Sequence, residues 1–419
     1  MLILVGAIAL AQPAQGPAVA PAHNKAAEAS GQRLFSTTGY IEHAGDENRG
    51  WFQFAYSHQR FRLPSDEDAA RPLIQVVVEA SRRRTALRVR YDAWAGRADA
   101  AGGFVEYPLC ALSVATGASV GDERINCPAP AEPPADTTDG ALARGLALAR
   151  PQPAQARLLL GRALSDQGLT ARLRAAALEA RGGAAEAIAA SLPFAGEAFD
   201  QAIVDGLADD RAWVAIAPDD VEAHYSVARL LADLGGYAEA DMVYRAIGRR
   251  WPDQAFNVAV RTGALYRRQS RYAEALRALD DFAAREGPQD GMKFHYHRAW
   301  TLTLLNRPQE AIDELGRGLV SQPDYAYAYF MRACAYGRTG RIGEALADQE
   351  RGLELIAGAA DEFGPYFRDQ IAIAGSTADA LRRLAATHRP MPTAVACDRL
   401  WARDITPRPR SSALPHAGD

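Results

Sequence analysis

The 419-residue sequence predicts a multidomain chain: a small antiparallel β domain, barrel or sandwich, followed by an all-α helical solenoid. Three observations carry this. A Glu-Ala pair recurs at Glu239-Ala240, Glu274-Ala275, Glu310-Ala311 and Glu344-Ala345, spaced by 35, 36 and 34 residues. Small residues recur at the same spacings at Ala228, Gly263, Ala299 and Ala333. A period of this length marks an array of repeated supersecondary units. Far upstream, Leu87-Arg88-Val89-Arg90-Tyr91 alternates apolar and basic residues, the period of a strand with one wet face.

Taken in chain order, residues 1–11 form an apolar run ending in Ala9-Leu10-Ala11, which reads as a signal-peptide core with a small-residue cleavage site. No Lys or Arg precedes the run, a departure that a start codon placed too far downstream would explain. The expectation is export, periplasmic or otherwise; without cleavage the run becomes a short buried helix in a cytoplasmic protein. Residues 12–30 read as an Ala/Pro/Gln linker. Residues 31–128 read as the β domain: Trp51–Tyr56, Gln75–Glu79, Ala86–Tyr91 and Phe104–Tyr107 are rich in β-branched and aromatic residues and are separated by turns such as Gly102-Gly103. Residues 129–138 are a Pro-rich linker, because proline can join neither a helix interior nor a sheet ladder. Residues 139–217 shift to Ala, Leu and Arg and form an α-helical bridge of paired helices, punctuated at Gly168 and Gly182-Gly183, with degenerate repeats as one reading.

Residues 218–357 hold the repeats. With Ala228 as position eight, Gly235 falls at a turn, Tyr237 just after it, Ala240 at position twenty, Tyr244 at twenty-four and Pro252 at the end. The next units supply Gly263, Tyr266, Tyr272, Ala275 and Leu279; Ala299, Leu302, Asn306, Ala311 and Leu315; and Ala333, Tyr336, Gly340, Ala345 and Leu353. This pattern resembles the tetratricopeptide (TPR) repeat over about residues 221–357. The family's unit has 34 residues, with small residues at positions eight and twenty. Position four departs from the family's frequent Trp, holding His224, Ala259, His295 and Tyr329. The resemblance implies two antiparallel helices per unit, in which only Gly or Ala fits where the axes approach. Gly235 and Gly340 would end first helices at positive φ. Asp219, Asp253 and Asp324, each after a proline, would cap the next helix. Residues 358–388 would cap the open end of the stack, and residues 389–419 would form a flexible tail in which Trp401 alone docks back.

The resemblance also implies a site. In the family, the first helix of each unit lines a concave groove for a protein or peptide partner. Carried over, Tyr225 and Arg229, then Asn257, Arg267 and Arg268, then Lys293, Tyr296 and Trp300, then Tyr327, Phe330 and Arg338 face that groove. Aromatic anchors beside basic donors suit an extended peptide carrying carboxylates. The bland alternative is that the arginines form a solvated face. The carboxylate-gripping arrangement of some members lacks its Lys and Asn here, where Tyr225 and Arg229 stand, so that specificity is not expected.

No cofactor or metal is expected. The sequence holds no phosphate-binding Gly-rich loop, no Gly-x-Ser-x-Gly and no His-Glu-x-x-His. His295 and His297 lie two apart on a helix, point in different directions, and read as packing or surface residues. No cysteine pair has C-x-x-C spacing; if the chain is exported, Cys110 and Cys127 either bridge and close a short loop or stay as two reduced thiols, and in a cytoplasmic chain the reduced thiols are the better reading. A formal net charge of −4 gives no reason to expect nucleic acid, and no membrane span is expected after the leader. Asp66, Glu67 and Asp68 read as a solvated loop, and Arg82–Arg84 as a charged hairpin turn. The reading is a protein-interaction scaffold rather than an enzyme. Two alternatives are an enzyme with a site in or beside the β domain, and a nucleic-acid binder using Arg82–Arg84, Arg88 and Arg90 with Trp51 and Phe52 on a barrel face.

Overall fold

A computed structural model describes residues 34–39, 41–44, 51–54, 59–63, 67–83, 87–92, 96–98, 104–114, 137–357, 364–387 and 406–414. The leader, the first linker, Cys127, Cys397 and Trp401 lie outside the described residues. The chain divides into two compact units at residues 230 and 231.

The first unit begins with strands β1 (Leu34–Gly39), β2 (Ile41–Ala44), β3 (Trp51–Phe54), β4 (Gln59–Arg62), β5 (Leu87–Asp92), β6 (Arg97–Ala98) and β7 (Val105–Val114). They form one sheet in the order β1-β5-β7-β4-β3-β2, with β6 also on β7. The pairing is antiparallel except between β4 and β7, which run parallel with Phe61 opposite Tyr107. The sheet is therefore mixed, and the expectation of an antiparallel domain is corrected on this point. A parallel neighbour needs a crossover. Helix α1 (Glu67–Arg83) lies in the chain between β4 and β7. It contains Gln75–Glu79, read from sequence as a strand. Ala70, Leu73, Val77 and Ala80 are buried at helical spacing, so one apolar face outweighs the β-branched run. Glu67 and Asp68 thus open a helix, and Arg82 and Arg83 end it rather than turning a hairpin. The period-two expectation for β5 holds on its inner face: Leu87, Val89 and Tyr91 are all buried.

Four helices complete this unit's hairpins: α2 (Thr138–Leu148), α3 (Pro153–Leu164), α4 (Ala171–Ala190) and α5 (Glu197–Ile216). Phe52, Phe61, Tyr91 and Tyr107 share a continuous core with Leu142, Leu160 and Ala177. The buried Tyr107 hydroxyl donates to the Ala143 carbonyl at 2.8 Å. The sheet and the helical bridge are thus one hydrophobic body, and the change of composition near residue 138 does not separate two cores. Gly182-Gly183, expected to break a helix, lies inside α4. A Cβ at Gly182 would sit 2.7 Å from the Asp210 carboxylate, so the glycine allows α5 to approach.

The repeats follow as helix pairs: α6 (Val221–Asp233) with α7 (Tyr237–Arg250), α8 (Ala255–Arg268) with α9 (Tyr272–Glu286), α10 (Met292–Leu304) with α11 (Pro308–Ser321), and α12 (Ala326–Arg338) with α13 (Ile342–Ala357). The division into units falls within α6. Helix α14 (Gly364–Thr387) packs on α13, where Gln349 Nε2 donates to the Ala374 carbonyl at 3.0 Å. Ala275, Ala299, Ala311 and Ala345 have no exposure at all, as position eight and twenty residues must where helix axes are closest, and Ala228 and Ala240 are equally buried. Two of the Asp caps are corrected: Gln254 and Tyr325, not Asp253 and Asp324, stand at the starts of α8 and α12, without a side-chain cap. Asp220, beside Asp219, accepts from the Glu222 N–H at 3.1 Å.

Each first helix ends in the same way. Gly235, Ser270, Asn306 and Gly340 have φ of 75°, 58°, 56° and 79°. The next residue's N–H reaches back to Leu231, Tyr266, Leu302 and Tyr336 at 2.8–3.0 Å, closing a Schellman turn. Two of these left-handed positions are not glycine. Ser270→Gly should therefore stabilise the chain by about 0.5–1 kcal/mol by relieving the Cβ clash. Gly340→Ala, with open space around it, should cost about 1–2 kcal/mol from backbone strain alone. Chemical denaturation of the two variants checks both signs.

Candidate functional site

The first helices carry the residues expected to face a partner, and burial sorts them. Within the first unit, Tyr225 is 1% exposed and belongs to the core. Arg229 grips Glu186 on α4 through both guanidinium nitrogens, one contact at 2.7 Å, with Ser226 Oγ at 3.0 Å. Neither side chain is presented to a ligand.

In the second unit the same sorting continues. Arg268 is 4% exposed and pairs with the equally buried Asp233 at 2.6 Å. Arg267, at 1% exposure, lies over the Trp300 ring at 4.4 Å and donates to Thr301 Oγ1 at 3.1 Å. Tyr296 and Trp300 are buried with ring centroids 6.0 Å apart. Phe330 is buried where a Cβ on Gly352 of α13 would strike its ring. These residues, expected in the groove, instead glue helices together. A guanidinium laid on an indole or matched to a carboxylate is a stable way to bury charge between repeats.

Four predicted residues stay partly exposed: Asn257, Lys293, Tyr327 and Arg338. They sit on the first helices of three successive repeats. Lys293 Nζ donates to Asn257 Oδ1 at 3.0 Å, joining α8 to α10, and stands 5.2 Å from the Phe256 ring. Arg338 donates to the Thr303 carbonyl at 2.9 Å, joining α12 to the end of α10. Tyr327 packs edge-on against Phe330, with centroids 6.1 Å apart, and Tyr325 bridges it to Tyr296. Together they place an ammonium, an amide and a guanidinium beside an aromatic floor in which the Tyr327 hydroxyl is itself buried.

The histidines are packing residues. His295, 5% exposed, places Nδ1 3.0 Å from Glu314 Oε1, and His297 is 3% exposed beside Arg267. His224 and Tyr329, both at position four, each bond the carbonyl of the proline six residues earlier at 2.9 Å, a tie between successive helices that the sequence did not reveal. Cys334, 4% exposed on α12, is disulfide-bonded to a cysteine whose side chain lies outside those described. The expected pair of Cys110 and Cys127 falls on side chains outside those described.

The nucleic-acid alternative loses one of its stacking groups: Phe52 has no exposure and lies 5.5 Å from Phe61 in the sheet core. Arg82 is exposed but on a helix, beside Glu79 at 3.4 Å. The side chains of Trp51, Arg88 and Arg90 lie outside those described, as does Arg84. Among the described residues, no group of three or more His, Cys, Asp or Glu is arranged to hold a metal ion, and no helix is long and apolar enough to cross a membrane.

No protein-family model and no curated protein matches the chain. Solved TPR structures do. A thermophilic TPR protein of Thermus thermophilus is 22% identical, with 42% of this chain and 92% of that one covered and a TM-score of 0.35. The C-terminal part of a TPR repeat-containing protein from Cytophaga hutchinsonii is 14% identical, with 63% and 93% covered and a TM-score of 0.38. YrrB, described as a TPR protein with an unusual peptide-binding site, is 17% identical, with 47% and 90% covered and a TM-score of 0.29. The chain is TPR-like in its own geometry: the helix pairs, the buried small residues and the four Schellman turns keep one register.

Proposed function

We propose that the chain is a protein-interaction scaffold that holds a partner peptide or protein along the first helices of its repeats. The supporting observation is that the polar residues Asn257, Lys293 and Arg338 stay partly exposed on three successive first helices, with the partly exposed Tyr327 beside them burying its hydroxyl, while their neighbours are spent on packing. A rigid face with aromatic and basic groups at its centre suits an extended segment bearing carboxylates or backbone carbonyls. The test is affinity capture from the native source with the full chain and with the triple variant Lys293→Glu, Tyr327→Ala, Arg338→Glu. The wild type should retain a specific protein that the variant loses. Retention of the same proteins in the same amounts by both would refute the reading. Arg268 and Trp300 are unsuitable probes, because their burial makes any substitution a stability experiment.

We propose further that the protein works in an oxidising compartment, the periplasm or another exported location. The Cys334 disulfide supports this, since such bonds persist outside the reducing cytosol. Alkylation of protein from its native source, before and after reduction, checks it. Cys334 should be labelled only after reduction; labelling beforehand would return the chain to the cytoplasm.

A further inference from the structure

Residues 406–414, Thr-Pro-Arg-Pro-Arg-Ser-Ser-Ala-Leu, fall inside the stretch whose composition predicts a loose tail. They are instead seated on the turn between α6 and α7, entirely within the second unit. The last carbonyls of a helix are acceptors without intrahelical partners, and that end favours cations. Here a segment about 170 residues further along the chain takes them. Arg408, 7% exposed, donates from its guanidinium to the Asp233 carbonyl, and the Ser411 N–H donates to the Leu234 carbonyl at 2.8 Å. The Arg408 N–H donates to the Tyr237 hydroxyl at 3.1 Å, and Arg410 pairs with Glu239 on α7. Leu414 is 3% exposed, and its Cδ2 lies 2.7 Å from where a Cβ on Gly236 would stand. A Cβ on Gly235 would strike the Pro409 carbonyl. The equivalent turn of the fourth repeat, at Gly340, has open space.

This is a recognition geometry. Two alternate arginines are read by a helix end and a carboxylate, a main-chain N–H is read by a carbonyl, and one apolar side chain enters a notch that glycine leaves open. Asp233 is braced by its buried pair with Arg268, so the receiving surface is fixed by the repeats themselves. Prolines on both sides of Arg408 favour the extended backbone before docking and reduce its ordering cost.

We propose that the Asp233–Glu239 turn is a peptide-recognition site and that residues 406–414 are its built-in ligand, which a partner carrying an extended Arg-Pro-Arg segment followed four residues later by an apolar residue replaces. The proposal rests on the scaffold reading and adds a second contact region with a defined partner chemistry. A tethered ligand acts at a high effective concentration, so the site is closed to weak competitors and opens to a partner that also engages the exposed first helices.

The test uses a fluorescein-labelled peptide of residues 406–414 and anisotropy titration of the full chain. Against a full-length variant with Arg408→Ala and Leu414→Ala, the peptide should bind about 10- to 100-fold more tightly than against wild type. Adding Glu239→Arg to that variant should weaken binding, and a peptide carrying Arg410→Glu should restore it. Equal binding to both proteins, or none to either, would overturn the proposal, as would a lowered melting temperature in the tail variant without any gain in peptide binding. Should the double variant fail to fold, Arg410→Glu alone, at a more exposed position, gives the same comparison. Failure here leaves capture through Lys293, Tyr327 and Arg338 standing, so the two readings fall separately.

Discussion

Asp210→Asn should stabilise the protein at pH 8 and leave it nearly unchanged at pH 4. Asp210 is 1% exposed, on α5 against α4, and its only hydrogen-bond donor among the described contacts is the Ser226 hydroxyl. Burial is the chief cause that lifts its carboxyl to about 7, against the Ser226 hydrogen bond and with help from the negative charge of Asp209 and Glu179. Asp209, its neighbour, is held by Arg157 at 3.1 Å and Arg181 at 2.9 Å. A folded-state value above the unfolded one means that the folded chain holds the proton more firmly. Stability is then greatest below the ordinary carboxylate range, falls as pH rises from about 4 to about 7, and stays low above that. An amide of the same shape carries no charge and escapes this loss. The gain at pH 8 should be about 1–3 kcal/mol, below the full cost of the shift because Asn replaces the proton donor imperfectly. Urea unfolding of both proteins at pH 4, 6 and 8 measures it. A difference that does not grow with pH would show that Asp210 is ionised and paired in the folded chain.

Glu314→Ala should be the most damaging single change among the repeat residues considered, at about 2–4 kcal/mol. Glu314, on α11, is 2% exposed and gathers three donors: His295 Nδ1 at 3.0 Å, Arg298 at 3.0 Å and Arg317. Arg298 is also tied to Asp280 on α9 at 2.8 Å, so the network spans two repeats. Burial alone would raise the Glu314 carboxyl. The His295 hydrogen bond and the charges of Arg298 and Arg317 overcome it and hold the group below its ordinary value. An ionised carboxylate only accepts, so His295 must carry its proton on Nδ1. Removal of Glu314 strands a buried imidazole N–H and leaves a half-buried guanidinium with one partner fewer. Glu314→Gln keeps the shape and one acceptor and should cost about half as much. Because the folded value is depressed, this stabilisation is present at neutral pH and disappears as pH falls through it. Thermal melts of both variants at pH 7 and pH 4 test the order; equal melting temperatures for Glu314→Ala and wild type at pH 7 would exclude the network as a stabilising element.

The repeats were legible because their signal is geometric. Ala228, Ala240, Ala299 and Ala311 must be small at the same depth in each pair, and a fixed period exposes that constraint in one sequence. Gly235 and Gly340 were legible as helix ends for the same reason, whereas Ser270 and Asn306 do the same work without the residue that advertises it. Helix α1 was missed because Gln75–Glu79 is a short β-branched run inside a longer amphipathic pattern, and the longer pattern decides. The residues expected to face a groove lie on the first helices, as the register says, but several of them are buried. A repeat register says which way Arg267, Arg268 and Trp300 point; it does not say that an aspartate or an indole from an adjacent helix covers them. The docked segment 406–414 was illegible because its contacts lie about 170 residues away and its composition is that of a linker.

The central claim, that the first helices of the repeats hold a partner, is tested most directly by site-specific photocrosslinking in the native compartment. A photoreactive phenylalanine replaces Tyr327 on α12 or, as control, Val320 on α11, which is 87% exposed. A discrete adduct with one protein is expected from position 327 and none from position 320. Adducts of equal yield from both positions, or an adduct from position 320 alone, would contradict it.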